Sequence, residues 1–148
     1  MGLLSRAHEL LARFETGPNP FDGGKWAGRV RHVAPIVRRD RLYIFFSGIG
    51  DAPERILLST IVLSSDWSTW RASPPVEVLR PMAAYECTDI PIVPSKAGEA
   101  EGPEHALRDP GVIEEKKPRD PVLLVLRGAG DRRGRCDLIC QVMARKWP

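Results

Sequence analysis

The sequence has few cysteines, which bears on both disulfides and metal sites. Only three of its 148 residues are cysteine, Cys87, Cys136 and Cys140. An odd number cannot pair completely within one chain, so we expect buried thiols and a cytoplasmic protein. Cys136 and Cys140 would share one face of a helix. On a strand they would lie about 13 Å apart, too far to chelate one zinc ion. No metal site is therefore predicted.

The sequence also lacks long apolar runs. The segment Met1–Phe14 is short and carries charged residues, so it predicts neither a signal peptide nor a membrane span. Its apolar residues recur at helical spacing, which indicates a short amphipathic helix. These residues are Leu3, Leu4, Leu10, Leu11 and Phe14.

The sequence also lacks a large excess of either charge. The 22 basic and 19 acidic residues leave a net charge of +3. The one basic cluster, Arg132–Arg135, has no interleaved aromatic residues, so it is typical of a solvated loop rather than of a nucleic-acid site. We expect neither a nucleic acid nor a membrane as partner.

Turn-forming residues and strand-length apolar runs are abundant. Fourteen prolines and thirteen glycines suit many turns in a single domain of 148 residues. The stretch Val30–Leu63 alternates apolar runs with two polar turns, around Arg38–Arg41 and Gly48–Pro53. It predicts an antiparallel meander, and the fold class is therefore mainly β.

The chain divides into four parts within this one domain. They are an N-terminal helix and loop (1–28), a first meander (29–81), a long acid-bearing loop (82–107) and a second meander (108–148). Trp26 is expected to pack where the N-terminal loop meets the first meander. Trp67 and Trp70 either form a stacking platform for sugars or cover the rim of the sheet.

The two meanders resemble each other. Ile44–Asp51 lines up with Leu124–Asp131, 80 positions later, and Ala34–Val37 lines up with Asp109–Val112. Each copy has an X-Pro step, an apolar hairpin and a Gly-x-Gly-Asp turn. Repeated antiparallel meanders are typical of propeller blades, of about 40–45 residues each. The loop 82–107 would account for the longer spacing.

The block LRDPGVIEE, which precedes the second apolar hairpin, resembles the blade-opening motif of the five-bladed β-propeller glycosidases. That superfamily includes arabinanases, invertases and levansucrases. The resemblance covers roughly Gly28 to Val142 and includes the tryptophan-bearing turn and YECTDIP. It implies about two blades of a propeller and a carbohydrate-active protein, with glycoside hydrolysis as the reaction. It implies no organic cofactor.

The resemblance also implies catalytic carboxylates. Asp109 matches the aspartate of the Arg-Asp-Pro step, which stabilises the charged transition state, and Pro110 predicts an extended conformation for it at a strand start. The proton donor would be Glu86, in a Glu-Cys step, or Glu101, in a Glu-Gly-Pro triplet. A solvated surface carboxylate is the alternative for either. Such chemistry needs two carboxyl groups about 5 to 9 Å apart.

Three further residues are candidates for binding a substrate, namely His32, Arg108 and Asp89. Arg108 could hold a carboxylate or a sugar hydroxyl, whereas a lone histidine such as His32 often has a structural role. The position that aligns with Asp109 in the first copy is Ala34, which cannot serve as a base. The alternative is therefore a non-catalytic sugar- or protein-binding module that assembles through exposed strand edges, for example as a homo-oligomer.

Overall fold

The computed structural model describes residues 19–98, 100 and 102–112, and the backbone of 113, 122–129 and 143–144. The protein is mainly β, with two antiparallel sheets whose strands follow one another in chain order. The first sheet contains β1 (Val30–Arg38), β2 (Arg41–Gly48), β3 (Ile56–Val62) and β4 (Val76–Leu79). The second contains β5 (Pro103–Ile113), β6 (Val122–Ala129) and β7 (Met143–Ala144).

Helical structure in the described residues is limited to three single 3-10 turns, at Gly24–Trp26, Trp67–Thr69 and Ala84–Glu86. None of the helices in this part of the chain is long and apolar enough to cross a membrane. Several predicted features lie outside the described residues. They are the N-terminal amphipathic helix, Glu101, Cys136, Cys140 and the cluster Arg132–Arg135.

The predicted first meander is confirmed. Arg38 pairs with Arg41 across the first hairpin, so the turn consists of Arg39 and Asp40, and Arg39 has a positive φ of 53°. A two-residue turn of this kind matches the twist of the flanking strands. The residues Arg39, Asp40 and Arg41 are exposed, whereas the apolar run of β2 faces the interior.

Strand β2 is buried on both faces, which explains its continuous apolar run. On one face, Phe45 packs in a cluster that includes Leu107 of the second sheet. On the other face, Ile44 and Phe46 pack with Leu57 and Ile61 of β3. The first cluster therefore joins the two sheets, and the second lies under the N-terminal loop and the turn around Trp70.

The Gly-x-Gly-Asp turn between β2 and β3 is stabilised by ion pairs of Asp51 and by backbone hydrogen bonds to Ser95. The Asp51 carboxylate is buried and lies 3.2 Å from both Lys25 Nζ and Arg55 Nε. Ser95 donates its backbone N–H to Asp51 O, and Gly50 N donates to Ser95 O. Gly50 has a φ of +85°, a conformation that glycine adopts without strain.

Trp26 packs where the N-terminal loop meets the meander, as predicted. Its ring meets Phe46 edge to face, with ring centroids 5.7 Å apart, and Lys25 Nζ lies 4.6 Å from the Trp26 ring centroid. A Cβ atom on Gly48 would come within 2.0 Å of Trp26 Cζ3. The indole therefore lies directly against the Gly48 backbone, and a side chain there would displace it.

We expect Gly48→Ala to lower the free energy of unfolding by about 1–3 kcal/mol, the usual cost of forcing extra volume into a packed site. Urea denaturation followed by tryptophan fluorescence measures this loss. Gly23→Ala is the matched control, because nothing lies within 4 Å of a Cβ at that position. Equal stability of the two variants would contradict the packing described for Trp26.

The two tryptophans of the turn after β3, Trp67 and Trp70, differ in their surroundings. Trp70 packs against the second core cluster and donates its Nε1–H to Ser64 O at 3.3 Å, so it covers the sheet rim. Trp67 remains 47% exposed. The rim interpretation thus describes Trp70, and the sugar platform stays a prediction.

The second sheet begins at Pro103, within the segment predicted as a long loop (82–107). The backbone explains the difference, because Pro103 pairs with Ala129 of β6 and β5 therefore begins there. Glu54 also forms a parallel bridge with Ala106, and its carbonyl accepts the Leu107 N–H at 2.9 Å. The predicted loop also contains the turn Ala84–Glu86 and the buried thiol of Cys87.

Candidate functional site

Strands β1 and β5, which open the two sheets, lie beside each other, and each contains a β-bulge. The bulge in β1 contains His32 and the bulge in β5 contains Asp109. Both residues have left-handed backbones, with φ of 53° for His32 and 52° for Asp109. Non-glycine residues rarely adopt this conformation, and bulges often redirect side chains at functional sites. This pair of bulges is the candidate site.

The two bulged residues contact each other across the junction. His32 Nδ1 lies 3.1 Å from Asp109 Oδ1, and their side chains are 36% and 40% exposed. With its proton on Nδ1, the neutral ring can donate to the carboxylate and has an acceptor lone pair on Nε2. The pair can therefore offer hydrogen-bond acceptors to a ligand from solvent.

Ser47 completes a serine, histidine and aspartate grouping, but not the geometry of a nucleophilic triad. Its Oγ lies 3.4 Å from His32 Nδ1, the same nitrogen that faces Asp109. A triad needs the serine at one ring nitrogen and the carboxylate at the other. Ser47 is also fully buried. The grouping therefore does not indicate a serine hydrolase.

A buried ion-pair network lies beneath the His32–Asp109 pair, centred on Glu54. The Glu54 carboxylate accepts from Arg31 Nε at 2.8 Å and from Arg31 Nη2, and its Oε2 lies 3.0 Å from Arg108 Nε. Arg108 Nη2 also pairs with Glu104. Arg31 and Arg108 come from β1 and β5, and each directly precedes a bulged residue.

The environment of Glu54 favours its charged form. Burial raises the pKa of Glu54, but hydrogen bonds from Arg31 and Ser47 and the charges of Arg108 and Arg31 outweigh burial. The pKa of Glu54 therefore lies below its ordinary value of 4.5. Burial also lowers the pKa of Arg108, more than the attraction of Glu54 raises it. A guanidinium still remains charged at neutral pH.

The backbone of Asp109 differs from the prediction. An extended conformation at a strand start was expected from the following proline, whereas Asp109 lies inside β5 with a positive φ. The register explains this, because Arg108 pairs with Leu126 and Pro110 with Val125, which leaves Asp109 as the extra residue of the bulge. Aspartate tolerates the left-handed region better than most residues.

The register also changes the alignment of the two copies. Ala34 pairs with Phe45, and Pro110 pairs with Val125, which occupies the position of Phe45 in the repeat. Ala34 is therefore equivalent to Pro110 rather than to Asp109. The residue of β1 that shares the bulge and the backbone conformation of Asp109 is His32.

Glu86 has a structural role in the contacts described for it. Its carboxylate is buried and accepts the backbone N–H groups of Met82 at 2.6 Å and Ala83 at 2.7 Å, which caps the turn Ala84–Glu86. Glu86 is thus not a solvated surface carboxylate. The turn that contains Glu86 contacts β5. The role of Glu86 as a proton donor stays a prediction.

The remaining predicted residues are Asp89 and Glu101. Asp89 is exposed in the turn that follows Glu86. Glu101 is outside the described residues. Within the described part of the chain, no group of histidine, cysteine, aspartate and glutamate side chains could hold a metal ion.

The comparison with curated proteins matches 96 residues of this chain to "Uncharacterized protein R118" of Acanthamoeba polyphaga mimivirus, at 43% identity. The match covers 64% of the chain but only 27% of the viral protein, so the chain spans about a quarter of that relative's length. No protein-family model and no solved structure matches the chain. The chain is thus similar to part of a longer viral protein.

Sequence reasoning missed Arg31 and Glu54. Glu54 directly follows the predicted turn Gly48–Pro53, and no motif in the sequence marks it. A signal for Arg31 is present, because Arg31-His32 and Arg108-Asp109 are both arginine steps before the bulged position. An alignment of the two meanders that places Pro35 opposite Pro110 does not show that His32 corresponds to Asp109.

Proposed function

We propose that this chain is the carbohydrate-binding part of a glycoside-acting β protein, and that its ligand binds at the His32–Asp109 pair. The observation that carries the proposal is the contact of 3.1 Å between two half-exposed polar side chains on left-handed bulges. The resemblance to five-bladed propeller glycosidases supports it. Two successive meanders whose first strands lie side by side suit neighbouring blades of such a propeller.

The charge balance of the site favours a neutral ligand rich in hydroxyl groups. Beneath the pair, the cations Arg31 and Arg108 face the anions Glu54 and Glu104. The exposed layer adds the carboxylate of Asp109 and the imidazole of His32. A carboxylate accepts hydrogen bonds from neighbouring sugar hydroxyls, whereas it repels a phosphate. Sugars therefore fit this site better than phosphorylated ligands.

We expect Asp109→Asn to lower the affinity for a bound oligosaccharide by about 10- to 100-fold, since hydrogen bonds to a charged group contribute about 1.5–3 kcal/mol. Asparagine keeps the shape and tolerates the left-handed backbone, so the fold should persist. Isothermal titration against a panel of neutral oligosaccharides measures the change.

Glu77→Gln is the matched control, because Glu77 lies on β4 at the opposite edge of the first sheet from β1. It should bind like the original chain. Unchanged affinity in Asp109→Asn, or a chain that binds none of the oligosaccharides, would contradict the proposed function.

Glycoside hydrolysis is the second candidate function, favoured by the place of Asp109 in an Arg-Asp-Pro step. It needs a proton donor about 5 to 9 Å from its partner carboxylate, and Glu86 is the candidate among the described residues. Incubation with aryl furanosides and oligosaccharides tests it. Turnover that disappears in both Asp109→Asn and Glu86→Gln would establish hydrolysis, and no turnover in the original chain would leave binding alone.

The edges of the first sheet do not favour pairing with a strand of another chain. Its edge strand β1 lies against β5, and its other edge, β4, has four residues and follows Pro74 and Pro75. Short edges and prolines hinder pairing with another chain. Light scattering would reveal a homo-oligomer as a mass above that of one chain.

A further inference from the structure

We infer that Glu54 is a positioning residue, which holds Arg31 and Arg108 together and thereby places His32 beside Asp109. The inference rests on the proposed function only where ligand binding is concerned. Its structural part concerns the contact between the two bulges, which can be measured without any ligand.

The backbone links the buried network to the exposed pair, because each arginine directly precedes a bulged residue. The Arg31 and Arg108 side chains are 11% and 6% exposed, whereas the following residues, His32 and Asp109, are 36% and 40% exposed. A bulge interrupts the regular alternation of strand side chains and redirects the bulged residue. An arginine anchored toward the interior therefore fixes the backbone from which the next, bulged residue projects to solvent.

Glu54 is attached differently to the two strands. Its backbone carbonyl accepts the Leu107 N–H at 2.9 Å, and its carboxylate pairs with Arg108, so β5 is held by both backbone and side chain. The contacts described between Glu54 and Arg31 involve the carboxylate. Removing that charge should therefore free β1 to shift relative to β5, while the backbone bridge to β5 remains.

The competing explanation is that the network only stabilises the fold. In that case, a variant that still folds would keep His32 beside Asp109. If Glu54 positions the pair, the same variant would lose or lengthen the contact between His32 Nδ1 and Asp109 Oδ1. The two explanations thus predict different environments for the His32 ring.

The imidazole ¹⁵N chemical shifts of His32 distinguish them. We expect Glu54→Gln to move these shifts most of the way toward their values in Asp109→Asn, with His105 unchanged as an internal reference. Glu77→Gln, the control variant, should leave them in place. A folded Glu54→Gln variant with unchanged His32 shifts would overturn the inference.

A second variant, Glu54→Asp, keeps the charge and shortens the side chain by one methylene. If Glu54→Gln does not fold, the same shifts in Glu54→Asp decide the question in the same way. If neither variant folds while Glu77→Gln does, Glu54 acts on stability as a whole and the positioning role is rejected.

A binding measurement separates the inference from the proposed function. For any oligosaccharide that the original chain binds, Glu54→Gln should weaken binding about tenfold, and the double variant with Asp109→Asn should be no weaker than Asp109→Asn alone. If no oligosaccharide binds, the proposed function fails, and the His32 shifts still decide whether Glu54 positions the pair. Additive losses in the double variant would count against positioning.

Discussion

Glu54→Gln is expected to lower the free energy of unfolding by about 3–5 kcal/mol, as when one partner of a buried ion pair is removed. Glu54 is 1% exposed and is the anion shared by Arg31 and Arg108. Glutamine leaves the buried guanidinium of Arg108 and the largely buried one of Arg31 beside a neutral amide, which does not compensate for their loss of hydration. Urea denaturation at neutral pH measures the change.

The pH dependence gives a second readout of the same carboxylate. The pKa of Glu54 is lower in the folded chain than its ordinary value of 4.5, so its stabilising contribution is present above that value. As the pH falls below 4.5 and through the folded-state pKa, the contribution is lost. We therefore expect stability to fall less steeply with acidification in Glu54→Gln than in the original chain.

Glu77→Gln serves as the control for the loss of stability at neutral pH. Glu77 is also paired with arginines, Arg55 and Arg80, but its side chain is 33% exposed and Arg80 is 51% exposed. Pairs at the surface contribute about 0–1 kcal/mol because water screens them. If Glu77→Gln lowered the free energy of unfolding as much as Glu54→Gln does, burial of the ion-pair network would not be the cause of the loss.

Phe46→Ala is expected to destabilise the chain by about 3–5 kcal/mol, the usual cost of removing a buried aromatic ring and leaving a cavity. Phe46 is fully buried, and its ring centroid lies 5.1 Å from that of Phe21 and 5.7 Å from that of Trp26. The loss should free the N-terminal loop that carries these two rings from β2.

Thermal or urea unfolding measures the global loss, and near-ultraviolet circular dichroism reports the aromatic cluster. Val62→Ala on β3 is the control, because Val62 is 55% exposed and should change stability by no more than about 0.5 kcal/mol. A Phe46→Ala variant as stable as Val62→Ala would contradict the second core cluster.

Much of the first sheet was predictable because its causes are local. Charged residues at Arg38–Arg41 cannot be buried, so they mark a turn, and the apolar run of β2 between two such turns predicts a buried strand. The position of Trp26 was also predicted correctly from its neighbours. A large aromatic ring that follows a loop rich in glycine and proline is stabilised by packing against the nearest apolar strand. The start of β5 was misplaced, because its pairings with Ala129 and Glu54 join residues far apart in the chain.

The candidate site was predicted only in part. Asp109, Arg108 and His32 were named from the repeat and the resemblance, and the structure brings all three to the junction of β1 and β5. Glu86 was named as a possible acid, and the structure shows it capping a turn. Glu54 was overlooked because an isolated glutamate after a turn looks like an ordinary surface residue.

By itself the sequence determined the class of fold, the first meander and the types of residue available for chemistry, because turns and apolar periodicity act over a few neighbouring positions. Only the tertiary structure decided that His32 is the counterpart of Asp109 and that Glu54 joins their strands. Those relations depend on bulges and on the packing of two sheets, and a bulge of one residue shifts every later pairing without leaving a local mark in the sequence.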